Sequence, residues 1–213
     1  MFFMNDTILQ FIILAPPLLL ALTVHEFAHG YVAFRLGDPT ARALGRLTLN
    51  PIKHLDPLGT IAFFIFHIGW AKPVPVNPSY FKNPQKDMLW VALAGPATNL
   101  IMAIISALMT KALWLLAQII PYSAMAEAVL IPLNSTLIAS VWINLVLCIF
   151  NFLPIPPLDG SRILAGILPP DLARSYASIE RYGFILLIIL AATGVLSKLI
   201  IPLINFANSL LLS

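Results

Sequence analysis

His25-Glu26-Phe27-Ala28-His29 is the stretch around which the rest of the chain is read. It has the form H-E-x-x-H. On a helix, residues four apart share a face, so His25 and His29 can aim imidazole nitrogens at one metal ion. Glu26 is turned away from His25 by about 100° and can reach a water at that metal. Two His ligands with one further protein ligand, and the fourth place left to water, is the arrangement of a catalytic zinc. The setting is apolar: residues 8–24 and 31–34 are almost wholly hydrophobic, so the motif lies inside a membrane helix. Two buried His and a Glu would also suit a proton relay in a transporter. Ionisable groups in a bilayer cost roughly 2.5–3.5 kcal/mol each, so three of them within five positions point to function.

Composition sets the compartment. The chain has 213 residues, 60% hydrophobic and 10% charged, with a formal net charge of +3. So high an apolar share, gathered into long runs, predicts a multi-pass membrane protein rather than a soluble globule. The length fits a single domain, residues 1–213. The basic residues sit in short loops, where the positive-inside rule accounts for them without any nucleic-acid partner. The lone Cys148 excludes an intrachain disulfide and reads as a small packing residue. No basic n-region precedes the first apolar run, which is therefore expected to be retained as a helix.

Outward from the motif, residues 7–35 form the first apolar segment, with Pro16-Pro17 as a possible kink. Residues 36–57 are broken by Gly37, Pro39, Gly45, Pro51 and Pro57, and between the breaks Arg46-Leu47-Thr48-Leu49-Asn50 alternates like a strand. Residues 58–71 are apolar but short, with basic loops on both sides, which predicts a stretch that dips into the membrane and returns. Ala71-Lys72-Pro73-Val74-Pro75-Val76-Asn77 cannot be helical and reads as an extended edge. Residues 88–120 and 136–153 are further spans, with residues 118–135 an external connection that lacks Lys and Arg. Residues 182–197 and 199–212 are two more apolar stretches, separated only by Ser197-Lys198. The expected fold is an all-α polytopic membrane protein of about five to six transmembrane helices, with short membrane-associated β segments and a re-entrant stretch.

A third metal ligand is offered by Asp159. Pro154, Pro156 and Pro157 force the preceding stretch out of helical geometry, and Pro157 can open a new helix. Asp159 would lie in its first turn, where the helix dipole favours a carboxylate. Asp beside Pro and Gly is ordinarily a turn residue; inside a membrane break it needs a partner, and zinc supplies one.

With these residues in view, the chain resembles the site-2 protease family of intramembrane zinc metalloproteases. The likeness rests on His25-Glu26-x-x-His29, Gly95-Pro96-Ala97-Thr98-Asn99 and Asn151-x-x-Pro154-x-Pro156-Pro157-Leu158-Asp159-Gly160, and covers roughly residues 20–165. The Gly-Arg-Leu-Thr-Leu-Asn-Pro and Gly-Trp-Ala-Lys-Pro-Val-Pro-Val runs are similar to the family's β segments. The resemblance implies that His25, His29 and Asp159 bind Zn2+ and that Glu26 is the acid/base. It implies substrate or oxyanion contacts for Asn151 and Asn99. It also implies a compact member without the inserted PDZ domain or appended regulatory domain of larger relatives.

The expected activity is endopeptidase cleavage of a transmembrane segment in a single-pass membrane protein. The protein is expected in the cell membrane, among lipid, with its active site nearer the cytoplasmic side. A transporter or metal permease is the competing class. It would place further carboxylates along other spans, which hold almost none. An extended substrate needs partners for its backbone, and the N–H groups of Val74 and Val76 share one edge that can pair with it. His54 is expected at a membrane interface, and His67 within the re-entrant stretch.

Overall fold

The computed structural model describes residues 2–59, 70–121 and 123–213. The first helix, α1, runs Phe2–Arg35 without interruption through Pro16 and Pro17. A span of Leu, Ile and Ala has no competing polar backbone partner in lipid, so the helix continues through the donors these prolines lack. A short turn of helix, α2 (Thr40–Ala43), follows. The long helices α3 (Pro84–Ile119) and α4 (Ala124–Asn151) form an antiparallel pair. Both are capped by a side chain: Asn83 accepts from Lys86 N and Ser123 from Ala126 N. The chain then breaks at Pro154–Pro157 and resumes as α5 (Asp159–Ile167), α6 (Pro170–Ala177), α7 (Glu180–Ala192) and α8 (Val195–Leu212).

Four of these helices are long and apolar enough to cross a membrane, and a fifth span is reached if the bent pair α6–α7 counts as one. The protein is thus an all-α, multi-pass membrane protein. Among the described residues the count is four to five, against the expected five to six. α4 begins at Ala124 and α3 ends at Ile119, so most of residues 118–135, read from sequence as an external connection, is helix. The lack of Lys and Arg there marked one side of the membrane and said nothing of loop length. The last two apolar stretches divide at Gly194, which has φ of 71°, not at Ser197-Lys198. A left-handed residue ends a helix, and glycine adopts that geometry without strain.

No strand forms among the described residues. Leu47–Leu49 bend instead of extending. Nearby, Asn50 accepts from Ile52 N and starts a tight turn over Pro51–His54, leaving no straight edge for a ladder. Segment 71–77 is not helical: Ala71 forms an antiparallel bridge with Leu55, Asn77 has extended dihedrals, and no other bridge is made among the described residues. The re-entrant stretch and His67 fall largely or wholly within residues 60–69, outside the described residues.

Alanine recurs in the core beside larger apolar side chains. Ala103 and Ala107 of α3 meet Val141 and Leu145 of α4, with Ala207 and Leu211 of α8 against them. Small residues let membrane helices approach closely where lipid removes the hydrophobic drive between them. A second cluster, Ala33, Phe81 and Val91, fastens the end of α1 to the start of α3. The large exposed residues, among them Ile105, Leu108, Trp114, Phe184 and Ile188, lie along the spans, where lipid would meet them.

Candidate metal centre

Helix periodicity places His25 and His29 on the face of α1 that packs against α3. The helices pass close because α3 has Gly95 there: a Cβ at this position would stand 2.6 Å from Cε1 of both imidazoles. α5 delivers Asp159 from its first residue. Gly160 makes that approach possible, since a side chain there would strike the carbonyl oxygens of Phe152 and Leu153.

The three candidate ligand atoms form a near-equilateral triangle. His25 Nε2 and His29 Nε2 are 3.0 Å apart, and each is 3.2 Å from Asp159 Oδ2. Donors about 2.0–2.1 Å from a tetrahedral zinc would be about 3.3 Å apart, so the spacing fits that ion. Hydrogen bonding supports the same reading. His29 Nδ1 donates to Val91 O at 2.7 Å, and a carbonyl can only accept. His25 Nδ1 donates to Asn99 Oδ1 at 2.5 Å. In the neutral rings both Nε2 atoms are then bare lone pairs. Asp159 Oδ2 is buried without a hydrogen-bond donor. Three lone pairs facing one point repel unless a cation sits between them, and two His with one carboxylate is a known catalytic zinc donor set.

Glu26 stands outside this trio. Its Oε2 accepts from the backbone N–H of Val74 at 2.8 Å. Segment 71–77 is brought there by a set of tethers. Lys72 N donates to His54 O at 2.8 Å, Arg46 Nη2 donates to Lys72 O at 2.7 Å, and Asn77 N donates to Asp38 Oδ2 at 2.7 Å. Val74 packs over Gly30, where any Cβ would lie 3.0 Å from Val74 Cγ1.

Several expectations change at this point. Val74 N–H is committed to Glu26, so the strand-pairing role expected of it does not describe this arrangement; a carboxylate in an apolar setting takes the nearest free donor. Asn99 is fully buried, and its amide is shared among His25, Asn144 and Ala21, so it presents no atom to a substrate. Its motif predicted a contact in the site, and tertiary packing turned that contact toward a ligand. Asn151 lies at the end of α4 and donates to Leu147 O of its own helix. His54 is buried, 2% exposed, with Nε2 donating to Thr48 O.

Other residues at the site were not anticipated. Asn144 and Ser140 stand behind Asn99, and Asp38, 0% exposed, anchors Asn77. An amide in the middle of the apolar α4 was the available signal, because polar groups at membrane depth need partners. Asp38 carried a turn signature, Asp-Pro-Thr, that hid its second partner.

Comparison with known proteins agrees with the geometry. The sequence model of peptidase family M50 matches residues 12–120 and 116–191. A Bacillus subtilis (strain 168) protein named "Putative zinc metalloprotease YwhC" is 44% identical over 191 residues, 88% of this chain and 84% of that one. Proteins named "Putative zinc metalloprotease Rip2" are 30% identical in Mycolicibacterium smegmatis, over 88% of this chain and 70% of theirs, and 30% identical in Mycobacterium tuberculosis H37Rv, over 81% and 63%. No solved structure matches the chain.

Proposed function

Because the chain belongs to peptidase family M50, we propose that it is an intramembrane zinc endopeptidase that cuts transmembrane segments of other membrane proteins. The observation that carries this reading is the convergence of His25 Nε2, His29 Nε2 and Asp159 Oδ2 with the Glu26 carboxylate beside them. His25, His29 and Asp159 would hold the ion. When bound, zinc polarises a peptide carbonyl and makes water acidic enough to be activated near neutral pH.

Glu26 takes the proton of the attacking water and returns it to the leaving amine. The Val74 N–H fixes one carboxylate oxygen, which leaves the other to receive that proton. Tethering of segment 71–77 at Lys72 and Asn77 keeps this donor in place. The substrate must be extended at the scissile bond, since a helix hides its carbonyls. Val76 lies on the same edge as Val74 and is assigned the pairing role for that peptide, with the Asn151 side chain as a further contact.

The substrate proposed is a single-pass protein of the cell membrane. The chain works as a single catalytic domain, since α1, α3 and α5 all contribute to the site. Arg35, Lys53, Lys72, Lys86 and Arg162 mark the cytoplasmic side, and Ile120–Ser123 the opposite one. Labelling of single cysteines in a Cys148→Ser background tests this topology; a cysteine at Lys82 that labels only from outside would reverse it. The activity is tested with detergent-purified protein and a labelled transmembrane peptide. Cleavage should stop with a zinc chelator and return with zinc, and chelator-resistant cleavage would refute the assignment.

A further inference from the structure

A line of buried polar side chains runs from His25 away from the site, through the α3–α4 interface. His25 Nδ1 donates to Asn99 Oδ1, and Asn99 Nδ2 donates to Asn144 Oδ1 at 2.9 Å. Asn144 Nδ2 donates to Ser140 O at 2.9 Å and approaches Ser140 Oγ at 3.3 Å, and Ser140 Oγ is 2.8 Å from Ser106 Oγ. Asn99, Asn144, Ser140 and Ser106 are all buried, at 0, 1, 6 and 4% exposure.

The direction of this line is forced from its far end. Ser140 O is a carbonyl and can only accept, so the Asn144 amide turns its NH2 there and its oxygen toward α3. Asn99 must answer with its own NH2, a placement reinforced by the second bond to Ala21 O at 3.3 Å. Its oxygen is thereby turned to His25, which must answer with Nδ1–H. Nε2 is left bare and aimed at the ligand triangle. A flip of either amide would set donor against donor or acceptor against acceptor at two places, in an interior where each unpaired group costs about 1–3 kcal/mol.

His29 needs no such device, because its Nδ1 meets the backbone carbonyl of Val91, whose orientation the helix fixes. His25 has a side chain as partner, and an amide is ambiguous until something orients it. We infer that Asn144 and Ser140 are positioning residues for the metal: through Asn99 they set the tautomer of His25 and so tune zinc affinity without touching the ion. The inference rests on the zinc reading above. The ordinary alternative is that these residues only hold α3 to α4, as interhelical polar contacts do.

The two roles separate in measured zinc affinity. In purified protein, Asn144→Leu keeps the volume and removes both donor and acceptor. It should weaken zinc binding in competition with a chelator by about tenfold or more, the range for partners behind a metal ligand. Asn144→Thr keeps an acceptor for Asn99 and should stay within about threefold of wild type. In an Asn99→Leu background, Asn144→Leu should change zinc affinity no further, because the line is already cut. Unchanged zinc affinity in folded Asn144→Leu, or an equal loss with and without Asn99, overturns the relay and leaves a helix contact. Should Asn144→Leu fail to fold, the 15N imidazole spectrum decides: the His25 Nδ1–H resonance must move in Asn144→Thr, and an unmoved resonance overturns the proposal. Wild-type protein that takes up no zinc would overturn the metal reading itself, and the relay with it.

Discussion

The ligand cluster and segment 71–77 meet at Glu26 and are built in opposite ways. The cluster is made of side chains carried by two helices, α1 and α5, and brought together by missing ones, Gly95 of α3 and Gly160. Segment 71–77 contributes backbone, and is held by side chains reaching out from elsewhere: Glu26, Asp38 and Arg46. Helices space side chains reproducibly, so they suit metal ligands, whose positions must be right to within a few tenths of an ångström. A segment held by hydrogen bonds to its backbone can be changed in side chain without moving the cluster, so the two regions separate under substitution.

The contrast predicts that damage to the cluster removes metal, whereas damage to the segment spares metal and removes rate. The largest effect belongs to Asp159→Ala, which should take zinc content from about one per chain to near zero by elemental analysis, with cleavage lost. Full zinc occupancy in that variant would remove Asp159 from the centre. Glu26→Gln should keep zinc and lower cleavage by about 10²-fold or more; wild-type turnover would end its assignment as acid/base. Gly95→Ala drives a methyl group into both imidazoles and should weaken zinc binding, with a stability loss of about 1–3 kcal/mol in thermal unfolding.

On the segment side, Val74→Pro deletes the donor to Glu26 between two prolines that already fix the extended path. One hydrogen bond to a charged group is worth about 1.5–3 kcal/mol, so cleavage should fall about tenfold or more at unchanged zinc content. Val74→Ala keeps the N–H and should fall less. Equal losses in the two would show that Val74 acts through packing. The smallest effect is expected of Gly30→Ala, whose Cβ would stand 3.0 Å from Val74 Cγ1 and 3.3 Å from Ala41 Cβ. A shift of a few tenths of an ångström should reduce rate by a small factor and leave zinc affinity alone. Zinc loss here would erase the distinction between the two regions.

The sequence was uneven in what it disclosed. The pairing of His25 with His29 follows from helical spacing alone, and the proline break before Asp159 pointed to a carboxylate as the third member of the cluster. The extended character of 71–77 was plain from its prolines, yet which edge met which partner was not. The alternation at Arg46–Asn50 suggested a strand, but with no neighbouring strand among the described residues the pattern gave way to turns built on Thr48 and Asn50.

Local order was therefore determined by sequence alone: apolar spans, a helical H-E-x-x-H face, a stretch that cannot be helical, and the family to which these belong. Such features depend on residues within a turn or two of one another. Tertiary structure alone decided that Asn99 faces His25 and not a substrate, that Asn144 and Ser140 orient it, and that Val74 N–H is given to Glu26. A buried amide or carboxylate binds whichever partner the fold carries to it. The partners of Asn99 and Glu26 lie 45 to 78 residues away along the chain, beyond the reach of any local pattern.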